Sequence, residues 1–543
     1  MTESDKFFSI YRKVLFWGAL GLAEFYLLWS LMQFVIWKEP YLIYLKRGGL
    51  ALIAATVLYV VLAAVADKKR SAAEEKIAAG QNSAAEQNSA ASQEIAASQN
   101  SAAEQNSAAG QESAAGQESA AGQNSVAAQG GKSGGALAPV KALLLRAKSS
   151  QQIFLLVFLV WYIVVCEIRA VTERKPYFTA NDNRLFYTAM AAFMFFPLVS
   201  IAGRDKIKKI VDVMLGSAVA AYTPVCAWVL WNFYHGVFVI LPSGNVVKLY
   251  QGLSLMIGVH RNTTAAYSLV LLSVCVYFLV SMKNRIKYVI FIPAAIVHLF
   301  VIMLSNSRTC YMVLIAMVIV TAVVRGAKYI KRIKVKNKAL VVAAGILVLA
   351  AGVAALYFLR SGIIASNAET WREKLNNPDA MRVRKMVGLN GRVNIWKASV
   401  KLMFSSWDRF LFGVTPPKLP SVLWEIGKFP VKQPHCHNLF LQVGTCFGVP
   451  MMLLYIWFTA SIARRGLRVM QSDCSGLFKG AWFIPVIVFG LLLTDMLEVL
   501  TCVNYFFNMP VFFMLSGWIM AMDDILTRRT GQKSDENPKK TAE

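Results

Sequence analysis

Residues 287–325 read KYVIFIPAAIVHLFVIML, then SNSR, then TCYMVLIAMVIVTAVVR: two apolar runs joined by a four-residue polar hinge at 305–308. At about 1.5 Å per helical residue, each run reaches most of the way across roughly 30 Å of hydrocarbon. The hinge holds two hydroxyls, Ser305 and Ser307, and the guanidinium of Arg308. Such a donor cluster suits phosphate oxygens, because Arg presents a planar fork and stays charged at any accessible pH. The alternative is a hairpin turn with an anchoring Arg.

The same pattern repeats outward from this pair. The chain has 543 residues, is 56% apolar and has positive mean hydropathy, which indicates a polytopic membrane protein rather than a soluble globule. Twelve spans are expected, near 14–37, 48–66, 151–169, 186–203, 210–232, 264–281, 287–304, 309–325, 339–359, 437–460, 480–498 and 502–521. The N-terminal apolar stretch is long and lacks a small-residue cleavage site, so it reads as a retained helix rather than a signal peptide. With the N-terminus inside, 34 Lys and Arg fall in cytoplasmic segments and 23 outside, 13 of them in one outer loop, 360–435. Leaving that loop aside, the split follows the positive-inside rule and puts both termini in the cytoplasm. The net charge of +27 then reports topology and calls for no nucleic-acid partner.

The domains expected are two helices (1–70), a cytoplasmic insertion (71–135), helices three to nine (136–359), the outer loop (360–435), helices ten to twelve (436–521) and a cytoplasmic tail (522–543). In the insertion a Ser-Ala-Ala-x-Gln-x hexapeptide recurs from Ser83 to Ser125. A period of six keeps no apolar face aligned on a helix, so the tract reads as low-complexity and disordered. The eight cysteines are scattered without the spacing of a disulfide framework or zinc finger. His435-Cys436-His437 offers metal-binding residue types, but three consecutive residues rarely converge on one ion, and no metal is expected.

Chemistry-bearing residues concentrate on the outer side. His260-Arg261-Asn262 begins a span, where a basic residue is disfavoured by topology; either a ligand retains Arg261 or it snorkels to the interface. The outer loop carries a net +8 and should attract an anionic partner. Within it Val393, Trp396, Val400 and Met403 fall at helical spacing beside Lys397 and Lys401, with Arg392 at the start. This predicts an amphipathic helix, lying on the membrane or packed on the bundle. Pro416, Pro417, Pro420, Pro430 and Pro434 are expected to hold the chain extended until it re-enters the membrane at His437. Asp495 and Glu498, near the outer end of the eleventh span, are costly there without partners, so one is expected to pair with an Arg of the site.

These residues resemble the O-antigen ligase and O-antigen polymerase superfamily of bacterial membrane glycosyltransferases. Three stretches carry the resemblance: Ser305 to Arg308; Gly391-Arg392-x-x-x-Trp396 followed by Leu411-Phe412-Gly413; and His437-Asn438 followed by Gly448. Together they cover about residues 180–520. Met451 stands where a small residue or Tyr is expected, Thr415 stands where a second Gly is often found, and the insertion has no place in the pattern.

The resemblance implies an all-α fold of about twelve transmembrane helices with a partly helical periplasmic loop, in the bacterial inner membrane. It implies glycan transfer from a polyprenyl (undecaprenyl) diphosphate carrier to an acceptor hydroxyl on the outer face, most readily O-antigen ligation to lipid A-core in lipopolysaccharide biosynthesis. Arg308 would hold the diphosphate with Arg261 and Arg392 as helpers, and Ser305 and Ser307 would contribute donors. His437 would take the acceptor proton, His435 competing for that role, and Asn438 would orient the acceptor or the imidazole. No metal or other cofactor is implied; the partners are the donor, a lipid, glycan or protein acceptor, and membrane lipids. A repeat-unit polymerase or a protein O-oligosaccharyltransferase of the same superfamily shares the donor site. A transporter of a lipid-linked anionic glycan is the alternative of another class; it predicts repeats of the spans, and none is evident.

Overall fold

The computed structural model describes positions among residues 20–32 and 157–168 and, with short gaps, residues 204–535. All of them belong to one compact unit, residues 1–53 and 149–543. The second and fourth expected spans and the hexapeptide insertion lie outside the described residues, as do half of the first and most of the third.

The fold is all-α and multi-pass. Among the described residues six helices are long and apolar enough to cross a membrane. After helical residues among 20–32 and 157–168, the first element described from end to end is α1 (Arg204–Tyr234), followed by a hairpin of β1 (Lys248–Tyr250) and β2 (Ser254–Met256), in which Leu249 pairs with Leu255. Next come α2 (Arg261–Ser281), α3 (Ile286–Leu304), α4 (Arg308–Arg332) and α5 (Lys338–Leu375). Each continuous helix satisfies its own backbone donors and acceptors, the requirement for crossing hydrocarbon. Pro224 in α1 and Pro293 in α3 lie within continuous helices, both on exposed positions of the bundle surface. The centre of the bundle is α2, with Ala265, Tyr267, Leu271 and Cys275 buried alongside Thr264 and Ser268. By contrast Leu340, Ile346, Leu347 and Val348 of α5 are exposed, as lipid-facing side chains would be.

Two expected boundaries change. The helix read over 339–359 runs without a break to Leu375, so the first part of the segment read as an outer loop is a helical extension of α5. Trp371 of that extension donates to the Phe233 carbonyl (3.2 Å) and Lys374 to that of Gly236 (2.9 Å), closing the end of α1. The span read as 437–460 is two helices, α9 (Leu439–Phe447) and α10 (Val449–Gln471), broken at Gly448 where φ is +92°. Glycine alone takes that conformation without strain, and Pro450 then starts the next helix where its missing N–H is not needed.

Between α5 and α9 lie α6 (Arg392–Met403), α7 (Trp407–Phe412) and α8 (Leu419–Gly427). The helix expected from Arg392 is present, but its packed face differs. Ile395, Ala398, Ser399 and Leu402 are buried, while Val393 and Val400 are exposed. Of the stripe read from the sequence, Val393 and Val400 thus point away from the protein, while Met403 is buried and Trp396 half-buried against it. Pro420 opens α8 instead of extending the chain, its fixed φ suiting a first helical turn.

The chain closes with a 3-10 turn (Ala481–Phe483), α11 (Ile484–Asp495) and α12 (Asn508–Asp535). The ends of α3 and α11 and the starts of α2, α4 and α12 gather at one end of the bundle. The opposite end is tied by charge: Arg468 to Asp523 (2.7 Å), Arg465 to Asp524 (3.0 Å) and Arg325 to the Met470 carbonyl (3.0 Å). The basic residues that suggested a cytoplasmic side thus also close helix ends.

Candidate active site

The site is assembled at the gathered end, and two glycines set its frame. A Cβ on Gly413 would lie 2.4 Å from the Cys446 carbonyl carbon, and one on Gly448 would lie 2.0 Å from the Leu411 carbonyl oxygen. Only hydrogen fits at either place, so the 411–415 backbone lies directly on the end of α9. Val414 donates to the Thr445 carbonyl (2.9 Å) and Thr415 to that of Cys446 (3.2 Å). Thr415, where the resembled family often has glycine, holds φ +65°. The substitution keeps a backbone conformation that glycine adopts without strain.

This clasp fixes α9, and α9 fixes His437. Asn438 caps the helix, its Oδ1 accepting from the Leu441 amide (3.1 Å) while its Nδ2 donates to the Met496 carbonyl (3.1 Å). An Asn in this position satisfies an otherwise orphaned helix-end donor. Asn438 therefore joins α9 to the turn after α11. His437 sits just before it in the left-handed region, φ +51°, and its carbonyl accepts from Trp396 Nε1 (3.4 Å). The Arg392-to-Trp396 motif and the His437 motif meet through this bond.

Glu498 is the hub. Its Oε1 accepts from Asn262 Nδ2 (2.6 Å) and from Arg392 Nη2, and its Oε2 lies 3.2 Å from His437 Nδ1. The turn that carries it is closed by Asp495, whose carboxylate accepts from the Leu500 amide (3.0 Å), the Thr501 amide (3.2 Å) and the Thr501 hydroxyl. The two carboxylates therefore divide the work: Asp495 builds the turn and Glu498 takes the cation. Burial pushes the Glu498 carboxyl up, but the hydrogen bond and charge of His437, with Arg392, outweigh it and hold the group at about 2. An ionised Glu498 takes the proton-bearing face of the imidazole at Nδ1. The neutral ring then keeps its lone pair on Nε2, the atom available to accept a proton.

The hinge read first in the sequence borders this hub. Ser307 Oγ donates to Asn262 Oδ1 (3.0 Å), and Arg392 Nη1 donates to Thr309 Oγ1 (3.1 Å). Ser305 directs its hydroxyl to the Val301 carbonyl (2.7 Å), closing the end of α3. Arg308 begins α4 and Arg261, buried, begins α2, beside Thr309 and Asn262 respectively. The structure thus gathers Ser307, Arg392 and His437 around Glu498 and places Arg261 and Arg308 at flanking helix starts. It gives Ser305 and Asn438 bonds that close helices.

His435 packs against His437, ring centroids 4.1 Å apart, and its Nδ1 accepts from the His437 amide (3.2 Å). His435, His437 and Glu498 each offer one ligand atom, all within 4.8 Å of one another, and could hold a cation. The Arg392 guanidinium on the other carboxylate oxygen opposes one. Cys436 does not join them: it is buried, 3.3 Å from Thr445 Oγ1, and burial pushes its thiol up to about 11.

Asn262, Thr309 and the decisive role of Glu498 were not legible in the sequence. Asn262 stands beside Arg261, a cue that was available, but its partner is 236 residues away. No curated protein matches the chain. Residues 293–456 match a family model, O-Antigen ligase, a segment that holds the 305–308 hinge, Arg392 to Trp396, Gly413, His437 and Gly448, and this match supports membership of the O-antigen ligase superfamily.

Proposed function

We propose that this protein transfers a glycan from a polyprenyl diphosphate carrier to an acceptor hydroxyl on the outer face of the bacterial inner membrane, with lipid A-core as the acceptor. The observation that carries the reading is the His437–Glu498–Arg392 cluster beside the 305–308 hinge. The carboxylate orients His437 with Nε2 as proton acceptor. As the acceptor oxygen bonds to the anomeric carbon, its proton passes to Nε2 and the bond from that carbon to the diphosphate oxygen breaks. The leaving group is the polyprenyl diphosphate, and its growing negative charge is met by Arg308, with Arg392 and Arg261 nearby. Charge stabilisation in this scheme comes from guanidinium groups.

A lipid-linked donor also needs an apolar path. A groove of about 420 Å³ lies between α9, α10 and α11, lined by Phe440, Ile456, Ala460, Phe489, Leu493 and Met496. It ends at Met496, whose carbonyl holds Asn438, next to His437. In this reading the groove seats the part of the isoprenoid chain nearest the diphosphate.

The test is purified full-length protein with a polyprenyl-diphosphate glycan and separate acceptors: lipid A-core, a growing glycan and a hydroxyl-bearing protein. The expected product is glycosylated lipid A-core, with turnover reduced at least 100-fold by His437→Ala or Arg308→Ala. Full turnover in both variants would sink the assignment of these residues. Product on the growing glycan or the protein alone would move the acceptor to the polymerase or protein-transferase reading.

A further inference from the structure

Arg360 belongs to none of the sequence motifs, yet it is 1% exposed, on the inner face of α5 where that helix passes the 305–308 hinge. Its Nη2 donates to Asn306 Oδ1 at 2.6 Å, and its guanidinium lies over the Tyr311 ring, 5.5 Å from the centroid. Asn306 is itself 2% exposed and holds φ +50°. That left-handed conformation is one a non-glycine residue keeps when its surroundings determine it. Ser305, Asn306 and Ser307 are all buried, so the hinge is held from beneath rather than by solvent. Burying a guanidinium is expensive, and a neutral side chain could have filled this space and bonded one amide. What Arg adds is a rigid fork that grips the amide of Asn306 and the ring of Tyr311, one residue on each side of the Ser307–Cys310 segment.

We propose that Arg360 is a positioning residue. It locks the left-handed turn at Asn306 and so sets the direction in which Arg308, two residues on, meets an anionic diphosphate. Its near-complete burial keeps it from touching the substrate; it acts through the turn. The proposal rests on the reading of Arg308 as a donor-binding residue.

The experiment has a structural arm and a kinetic arm, both on full-length protein in detergent. In the first, hydrogen exchange of the peptide covering 303–311 is compared in wild type, Arg360→Gln and Arg360→Lys. Faster exchange there, with the rest of α3 and α4 unchanged, is expected in both variants, because Lys keeps the charge but lacks the fork. Wild-type exchange in both would overturn the lock. In the second, KM for the polyprenyl-diphosphate glycan is expected to rise about tenfold in Arg360→Gln with kcat within threefold, and Asn306→Ala added to it should raise KM no further.

Multiplying effects in the double variant would mean that Arg360 does not act through Asn306 and would overturn the proposal. So would a loosened turn with unchanged KM, provided Arg308→Ala raises KM. If Arg308→Ala leaves KM unchanged, the donor-binding reading fails instead, and with it the kinetic half of this proposal; the exchange arm then decides whether the turn is locked.

Discussion

In the proposed reaction His437 owes its role as base to what holds it. An imidazole alone has two tautomers; the Glu498 carboxylate at 3.2 Å from Nδ1 selects the one that leaves Nε2 as a base. Glu498→Gln removes that selection and leaves Arg392 without its partner. The expected result is a loss of kcat of about 10²-fold or more, at unchanged expression, since positioned proton transfer contributes typically 10²–10⁴. Stability has a distinct signature. The carboxyl of Glu498 is held at about 2 against an ordinary 4.5, so its stabilising contribution is complete above pH 4.5. That contribution is lost as pH falls through 2. Thermal unfolding of wild type should therefore drop between these limits more steeply than that of Glu498→Gln; parallel curves would mean that Glu498 is not paired in the folded state.

At the scale of elements, the site depends on backbone pressed against backbone. Gly448 breaks the apolar run 437–460 in two and lets α7 lie on the end of α9. Gly448→Ala places a methyl 2.0 Å from a carbonyl oxygen, where something must shift, and φ +92° is strained for alanine as well. The expected cost is about 2 kcal/mol or more, read as a clear fall in midpoint temperature. Thr415→Gly should do the reverse. It relieves a residue at φ +65°, worth about 1 kcal/mol before the entropy of the added glycine is subtracted, so stability should hold or rise slightly. Helix α6 was legible to its first residue, because glycine at 391 and a run of helix formers mark its start. Its buried face was not, because Val393 and Val400 share its apolar spacing with Ile395 and Leu402, and only the partner surface separates the two sets.

At the scale of the molecule, two solvents meet along one bundle. The charged pairs Arg468–Asp523 and Arg465–Asp524 close one end. The cluster around Glu498 closes the other, with the α9–α10–α11 groove leading toward it through the apolar middle. If that groove seats the chain of the donor, Ala460→Phe should raise KM for a long polyprenyl donor several-fold and leave it unchanged for a donor with a short, soluble prenyl group. Equal effects on both donors would indicate distortion of the site rather than loss of the seat.

By itself the sequence determined that the chain is a helical membrane protein, because continuous apolar runs of about twenty residues are too long and too unalternating for barrel strands, and a helix then satisfies every amide in hydrocarbon. It also determined the motif residues, since Arg, His and Gly at 308, 392, 413, 437 and 448 carry chemistry and conformational freedom that are local properties. Which residues meet was decided by tertiary structure alone. Asn262, Arg360, Arg392, His437 and Glu498 come from five separate elements, and their pairing follows from how helices pack, a matter of distance in space that spacing along the chain does not encode. The long-range bonds to Glu498 and Asn306 orient the His437 imidazole and support the turn before Arg308, the two features on which the proposed reaction rests.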